Sequence, residues 1–172
     1  MEKDMKVHII DGVFQPHQLQ HWNKTINYST EPFVSALADK EGEGWFEKLE
    51  YHVNYALCSQ ILEKIEKYFN IKDMKGYDYW THTHTRPGQW HYDKDERAYV
   101  KHGIQRFPIC SSVFYMEADC IGGELQFERG ISIKPVKNRL VIFSPKLYHG
   151  VEEFTGKRVS VNINPWATEL YK

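Results

Sequence analysis

Trp90-His91-Tyr92-Asp93 sets an imidazole and a carboxylate two residues apart. In extended backbone, side chains at i and i+2 leave from one face, so His91 and Asp93 can grip a metal ion from the same side. The pair alone says little, because nine His and 23 Asp+Glu in 172 residues make about one His-x-acid expected by chance. His149 lies in Lys146-Leu147-Tyr148-His149-Gly150-Val151, at the start of a strand just after the Ser144-Pro145 turn. Two neutral imidazoles and one carboxylate leave three positions open on a six-coordinate ion. That suits Fe(II) that must accept both a bidentate co-substrate and dioxygen.

A co-substrate of this kind needs an anchor. Arg158 follows His149 across the turn Phe154-Thr155-Gly156-Lys157, which puts a permanently charged guanidinium on the neighbouring strand. Its planar fork holds a carboxylate through two parallel bonds, which a lysine does less well. Alternation then places Arg158, Ser160, Asn162 and Asn164 on one face and Val159, Val161 and Ile163 on the other. A polar row opposite an apolar one on a central strand reads as the wall of a polar cavity, not a solvated surface.

The elements that would carry these residues follow from period and punctuation. Val7 to Ile10 reads as a strand, and Leu19, Trp22 and Ile26 repeat at helical spacing behind Pro16. Ser29 to Gly44 is irregular and reads as a loop, whereas Leu57, Ile61, Ile65, Tyr68 and Phe69 form the apolar stripe of a second helix. After Gly76 the period falls to two, predicting a strand from Tyr77 to Thr85 that leads through Pro87-Gly88 to the His-x-Asp pair. Lys94 to Arg106 reads as a charged surface loop beside that pair. Strands are then expected over Phe107–Met116, Glu124–Glu128, Ile131–Lys134, Leu140–Phe143, Tyr148–Glu153 and Arg158–Ile163. Helices followed by about eight strands predict a mainly β domain of jelly-roll type, buttressed by N-terminal helices.

Composition bounds the rest. With 41% hydrophobic residues and 26% charged, 172 residues suit one domain with its own core and no disulfide staples. The expected division is a helical part over about 1–75 and a β core over about 76–166. A net charge of −1 gives no general attraction for nucleic acid or anionic membrane. Cys58, Cys110 and Cys120 are an odd number beside apolar runs and read as reduced thiols. No apolar run reaches membrane-spanning length, so no membrane partner and a cytoplasmic location are expected.

The set His91-x-Asp93, His149 and Arg158-x-Ser160, with Gly122-Gly123-Glu124 and the Leu140 to Pro145 strand, resembles a known family in order and spacing. That family is the Fe(II)- and 2-oxoglutarate-dependent dioxygenases, in their prolyl 4-hydroxylase-like branch, and the resemblance runs from about Tyr77 to Trp166. It implies a double-stranded β-helix with iron on His91, Asp93 and His149, and the far carboxylate of 2-oxoglutarate on Arg158. It further implies that Ser160 assists that contact and that Tyr115 donates to the same carboxylate. The family often has an aromatic or polar residue, usually tyrosine, on the strand before the iron pair, near the 2-oxoglutarate C1 carboxylate or the iron, where this chain offers His82, His84 and Arg86. Asp93 is retained, and this favours hydroxylation over halogenation. The implied reaction couples oxidation of a protein side chain, with proline the first candidate, or of an amino acid or small metabolite, to release of succinate and CO2.

Three other functions compete. Nucleic-acid demethylation is disfavoured, since no arginine follows Arg158. A cupin-like metal protein or isomerase would use the same barrel without needing the Arg158–Ser160 anchor, and a non-catalytic binding module would need neither. His82 and His84 could be further ligands or plain structural histidines, and His8, His17, His21, His52 and His102 read as surface or packing residues. Trp90 and Trp166 could stack on substrate or fill the core. Gly122 and Gly123 read as turn formers, and segments 29–44 and 94–106 as candidate substrate contacts. Oligomeric state is left open.

Overall fold

The computed structural model describes residues 6–25, 36–39, 55–83 and 90–170. Among these residues nine strands form two antiparallel sheets. The larger has the order β1 (Val7–Asp11), β7 (Arg139–Phe143), β4 (Ser111–Gly122), β9 (Phe154–Trp166), β3 (Gly76–His82) and β2 (Ala36–Asp39). The smaller runs β6 (Ile131–Ile133), β5 (Leu125–Phe127), β8 (His149–Val151). Helices α1 (Pro16–Thr25) and α2 (Tyr55–Ile65) cover the outer face of the large sheet.

This layering explains the apolar runs Val113–Met116 of β4 and Leu140–Phe143 of β7: both of their faces are buried. Phe114 and Met116 of β4, Leu140 and Ile142 of β7, and Val159, Val161 and Ile163 of β9 pack under the helices with Leu19, Trp22, Leu57, Ile61 and Ile65. The alternate residues Val113, Tyr115, Val141 and Phe143 turn inward and meet Leu125, Phe127 and Ile133 of the small sheet. A shift in the β4–β9 register between Tyr115 and Glu117 leaves Tyr115 opposite Ser160 and Glu117 opposite Val159. This bulge keeps the Tyr115 ring inside while Glu117 returns to the helical side, where Asn23 donates to it at 2.6 Å.

Several expected boundaries move. The second helix ends at Ile65, so of its expected stripe Phe69 still packs on the core but Tyr68 is exposed and lies against His8. Residues 36–39 pair with β3 as an edge strand, although the surrounding charge and glycine suggested only loop. Lys94 to Arg106 is not a plain loop, because it contains α3 (Glu96–His102). Asp95 caps that helix by accepting from the Ala98 amide at 2.9 Å, and Gly103 closes it at φ 68°. The strand expected from Phe107 starts at Ser111, since Pro108 has no amide to offer a ladder, and it runs on to Gly122. His52, His84, Arg86, Ile26 and most of 29–44 lie outside the described residues.

Candidate iron and 2-oxoglutarate site

His91 sits outside the named strands yet is pinned to β8. Its amide donates to the His149 carbonyl at 2.8 Å, and the His149 amide donates to the His91 carbonyl at 3.0 Å. This two-bond bridge brings the imidazole centroids to 4.5 Å. Asp93, two residues on, places Oδ1 at 3.4 Å from His91 Nε2 and Oδ2 at 3.8 Å from His149 Nε2. One ligand atom from each of the three residues lies within 4.8 Å of the others, and no other such group occurs among the described residues.

The donor set suits a divalent ion. An ion bound at about 2.1 Å needs neighbouring donors about 3 Å apart, so the spacings of 3.4 and 3.8 Å from Asp93 to the two imidazoles are wider than a bound ion requires and would draw in around it. His149 Nδ1 lies 2.9 Å from the Leu147 carbonyl, which can only accept, so this nitrogen carries the proton and Nε2 keeps its lone pair for a metal. Burial between Phe127 and Phe143 lowers the His149 pKa, more than the Asp93 charge raises it, and holds the ring neutral. Burial also pushes the Asp93 carboxyl up, but His91, His149 and Ser111 outweigh that and hold it at about 2. His149 is almost fully enclosed, whereas the His91 side chain is 46% exposed, so the open side of the cluster faces outward past His91.

Arg158 is 2% exposed. Its Nε donates to the Gly123 carbonyl at 3.0 Å, and Nη1 lies 3.3 Å from His82 Nδ1 and 3.5 Å from Ser160 Oγ. The guanidinium packs over the Tyr115 ring, 5.0 Å from its centroid. Among the described residues no carboxylate pairs with it, and the buried Tyr115 hydroxyl has no hydrogen-bond partner. A buried cation with no counter-charge, beside an orphaned hydroxyl, is a cradle for an incoming carboxylate. The remaining inward residues of β9, Ser160, Asn162 and Asn164, are likewise buried, as the polar-wall reading expects.

Sequence reasoning assigned Gly123 too little. It has φ +76°, and a Cβ there would come within 2.9 Å of Arg158 Cδ. Its missing side chain and its carbonyl together seat the guanidinium. His82 is not in the metal-ligating group and instead lies against Arg158. Trp166 is buried, while Trp90 is exposed and packs with Tyr148 at 5.6 Å, and Tyr148 with Tyr92 at 4.9 Å. Asp78 was also passed over: it faces inward in register with Asn164, and burial and the Asp93 charge raise its carboxyl to about 8.

Residues 78–166 match the model of the 2OG-Fe(II) oxygenase superfamily. A comparison with curated proteins gives no match. Among solved structures, the chain is similar to a viral collagen prolyl hydroxylase from Paramecium Bursaria Chlorella virus-1 in its 2-oxoglutarate complex. The TM-score is 0.60 at 18% identity, with 95% of this chain and 96% of the other covered. A Pseudomonas putida prolyl-4-hydroxylase gives a TM-score of 0.56 at 18% identity over 96% and 94% of the two chains. A Burkholderia pseudomallei oxidoreductase of the 2OG-Fe(II) oxygenase family gives 0.64 at 12% over 95% and 85%. These likenesses show the jelly-roll fold, and the match over more than half of the sequence shows the family: the chain belongs to the 2OG-Fe(II) oxygenase superfamily, and is a 2-oxoglutarate-dependent dioxygenase that uses Fe(II), 2-oxoglutarate and dioxygen.

Proposed function

We propose that His91, Asp93 and His149 hold the iron, that Arg158 with Ser160 and Tyr115 binds the far carboxylate of 2-oxoglutarate, and that the enzyme hydroxylates a protein side chain, with proline the first candidate. The observation that carries this reading is Arg158, a buried guanidinium that no described carboxylate neutralises, on the same inward strand face as Ser160. When bound, iron and 2-oxoglutarate supply the oxidation, in which dioxygen is consumed, 2-oxoglutarate leaves as succinate and CO2, and one oxygen atom goes to the substrate.

The chain's own residues orient and exclude. The Leu147 carbonyl fixes the His149 tautomer, and Phe127 and Phe143 shut water out behind its ring. Gly123 and His82 steer the guanidinium into the cavity. A cupin-like protein would have no use for such a buried cation.

A peptide substrate is favoured by the outward side of the site. Trp90, Tyr148 and Tyr92 form a continuous aromatic row beside His91, with Trp90 and Tyr92 exposed. Aromatic rows of this kind take extended and proline-containing segments. The likeness to two prolyl hydroxylases over nearly their whole length points the same way. We read 1–172 as one domain, with its helical part over about 1–75 buttressing a core over about 76–166, and place it in the cytoplasm. No helix among the described residues is long and apolar enough to cross a membrane, and Cys58, Cys110 and Cys120 are free thiols.

Succinate release tests the substrate. Proline-containing peptides should raise it well above the uncoupled rate, whereas the same peptides with proline replaced by alanine should not. Stimulation by a free amino acid or metabolite, and by no peptide, would overturn the protein-substrate part.

A further inference from the structure

Three strand ends meet at one end of the large sheet, where the ladder sets Phe143 of β7 opposite both Val7 of β1 and Ser111 of β4. An open pocket of about 280 Å³ lies there. Lys6 stands just before β1, Phe107 and Ile109 lead into β4, and Ser144 and Lys146 follow β7. Phe69, beyond α2, closes another side and, like Ile109, packs on the core under the helices. No residue of the His91, Asp93 and His149 group or of the Arg158 cradle lines this pocket, so the oxygenase reading gives it no task.

The lining divides by chemistry. Phe69, Phe107, Pro108 and Pro145 offer flat apolar faces, while Lys6 and Lys146 are exposed and bring two ammonium groups. Among the described residues no carboxylate pairs with either lysine. Ser144 is 9% exposed. Its amide donates to the Lys6 carbonyl and its carbonyl accepts from the Leu147 amide, both at 3.1 Å, but its hydroxyl has no hydrogen-bond partner among the described residues. A buried hydroxyl seldom goes unpaired, and two cations at one pocket without a counter-charge draw an anion. The volume lies near the lower end of ligand sites, which run from about 300 to 1,000 Å³, and suits a single ring with its acid group. We propose that this pocket binds a small aromatic carboxylate, its ring against the Phe and Pro faces and its carboxylate meeting Lys6, Lys146 and the Ser144 hydroxyl. The turn from Ser144 ends at Leu147, whose carbonyl meets His149 Nδ1, so this ligand lies against the segment that orients His149 without entering the iron site.

The test titrates phenylacetate into the whole chain labelled with nitrogen-15 and follows the backbone amides by NMR. The Phe107, Ile109, Ser144 and Lys146 amides should shift together, with a dissociation constant of about 1 mM or tighter. Acetate, which lacks the ring, and phenylacetamide, which lacks the charge, should each bind at least about fivefold more weakly. The double variant Lys6→Gln with Lys146→Gln changes only exposed side chains, and it should weaken phenylacetate by at least about fivefold while leaving the anaerobic 2-oxoglutarate titration unchanged. Arg158→Ala should bind phenylacetate at these amides as the wild type does, because its cation belongs to the other site. No shift of these amides at about 10 mM phenylacetate would overturn the proposal, since a built site should be filled at about ten times the expected constant. Equal binding of phenylacetamide, or wild-type affinity in the double variant, would overturn it too. So would loss of the shifts in Arg158→Ala, which would assign the carboxylate to the 2-oxoglutarate cradle.

Discussion

His91 and His149 exchange both of their backbone hydrogen bonds, at 2.8 and 3.0 Å, so the main chain itself sets the two imidazoles of the candidate iron site side by side. The geometry of the pair is therefore part of the fold, and the rings can be removed without removing the bridge. His149→Ala should leave a folded metal-free protein that has lost Fe(II) affinity by at least about a hundredfold. Circular dichroism and an anaerobic Fe(II) titration check the two halves. Loss of the fold in that variant would show that the ring, wedged between Phe127 and Phe143, carries stability that the bridge does not.

Arg158 makes the opposite demand. A cation buried without a counter-charge costs the empty protein stability and is compensated when a carboxylate arrives. With Fe(II) present and 2-oxoglutarate at about a hundred times its dissociation constant, linkage predicts about 2.7 kcal/mol of added stability for the wild type. In Arg158→Met that increment should vanish, and the midpoint without 2-oxoglutarate should rise. Thermal melts with and without the co-substrate give both readings.

Gly123→Ala addresses the seat of the guanidinium. The new methyl group would meet Arg158 Cδ at 2.9 Å, and φ +76° adds about 1–2 kcal/mol of backbone strain. The expected result is roughly tenfold weaker 2-oxoglutarate binding with Fe(II) affinity unchanged, read from anaerobic titrations of each ligand.

Asp78 gives a pH prediction for the metal-free protein. Burial, and then the Asp93 charge, raise its folded pKa to about 8 from an ordinary value of 3.8. Between those values the folded chain holds a proton that the unfolded chain has released, so stability from this group falls as pH rises from about 4 to about 8 and stays low above. Asp78→Asn removes the dependence. Its advantage in thermal midpoint over wild type should grow across that window, and a constant difference from pH 4 to 8 would contradict the assignment.

What the sequence disclosed divides along local and long-range lines. The polar and apolar faces of β9 were legible because alternation is a local property, and Arg158, Ser160, Asn162 and Asn164 are all buried on one side. The jelly roll followed from short strands with turn residues between them. The His91–His149 bridge was not legible, since register between distant segments leaves no mark on either one. The short helix from Glu96 was hidden by its charges, although Asp95 and Gly103 stood at its ends as caps. Asp78 went unnoticed because an acid in an alternating strand is ordinary until the sheet facing it is known. Gly123 looked like a turn residue, and only the packed Arg158 side chain reveals the second reason for glycine there.

One anaerobic titration of 2-oxoglutarate into Fe(II)-loaded protein, followed by visible absorption, tests the assignment of the site most directly. A charge-transfer band should appear and saturate in the wild type, and Arg158→Ala should need about a hundredfold more 2-oxoglutarate while binding Fe(II) as before. No band from folded, iron-bound protein, or equal losses of iron and co-substrate in Arg158→Ala, would contradict it.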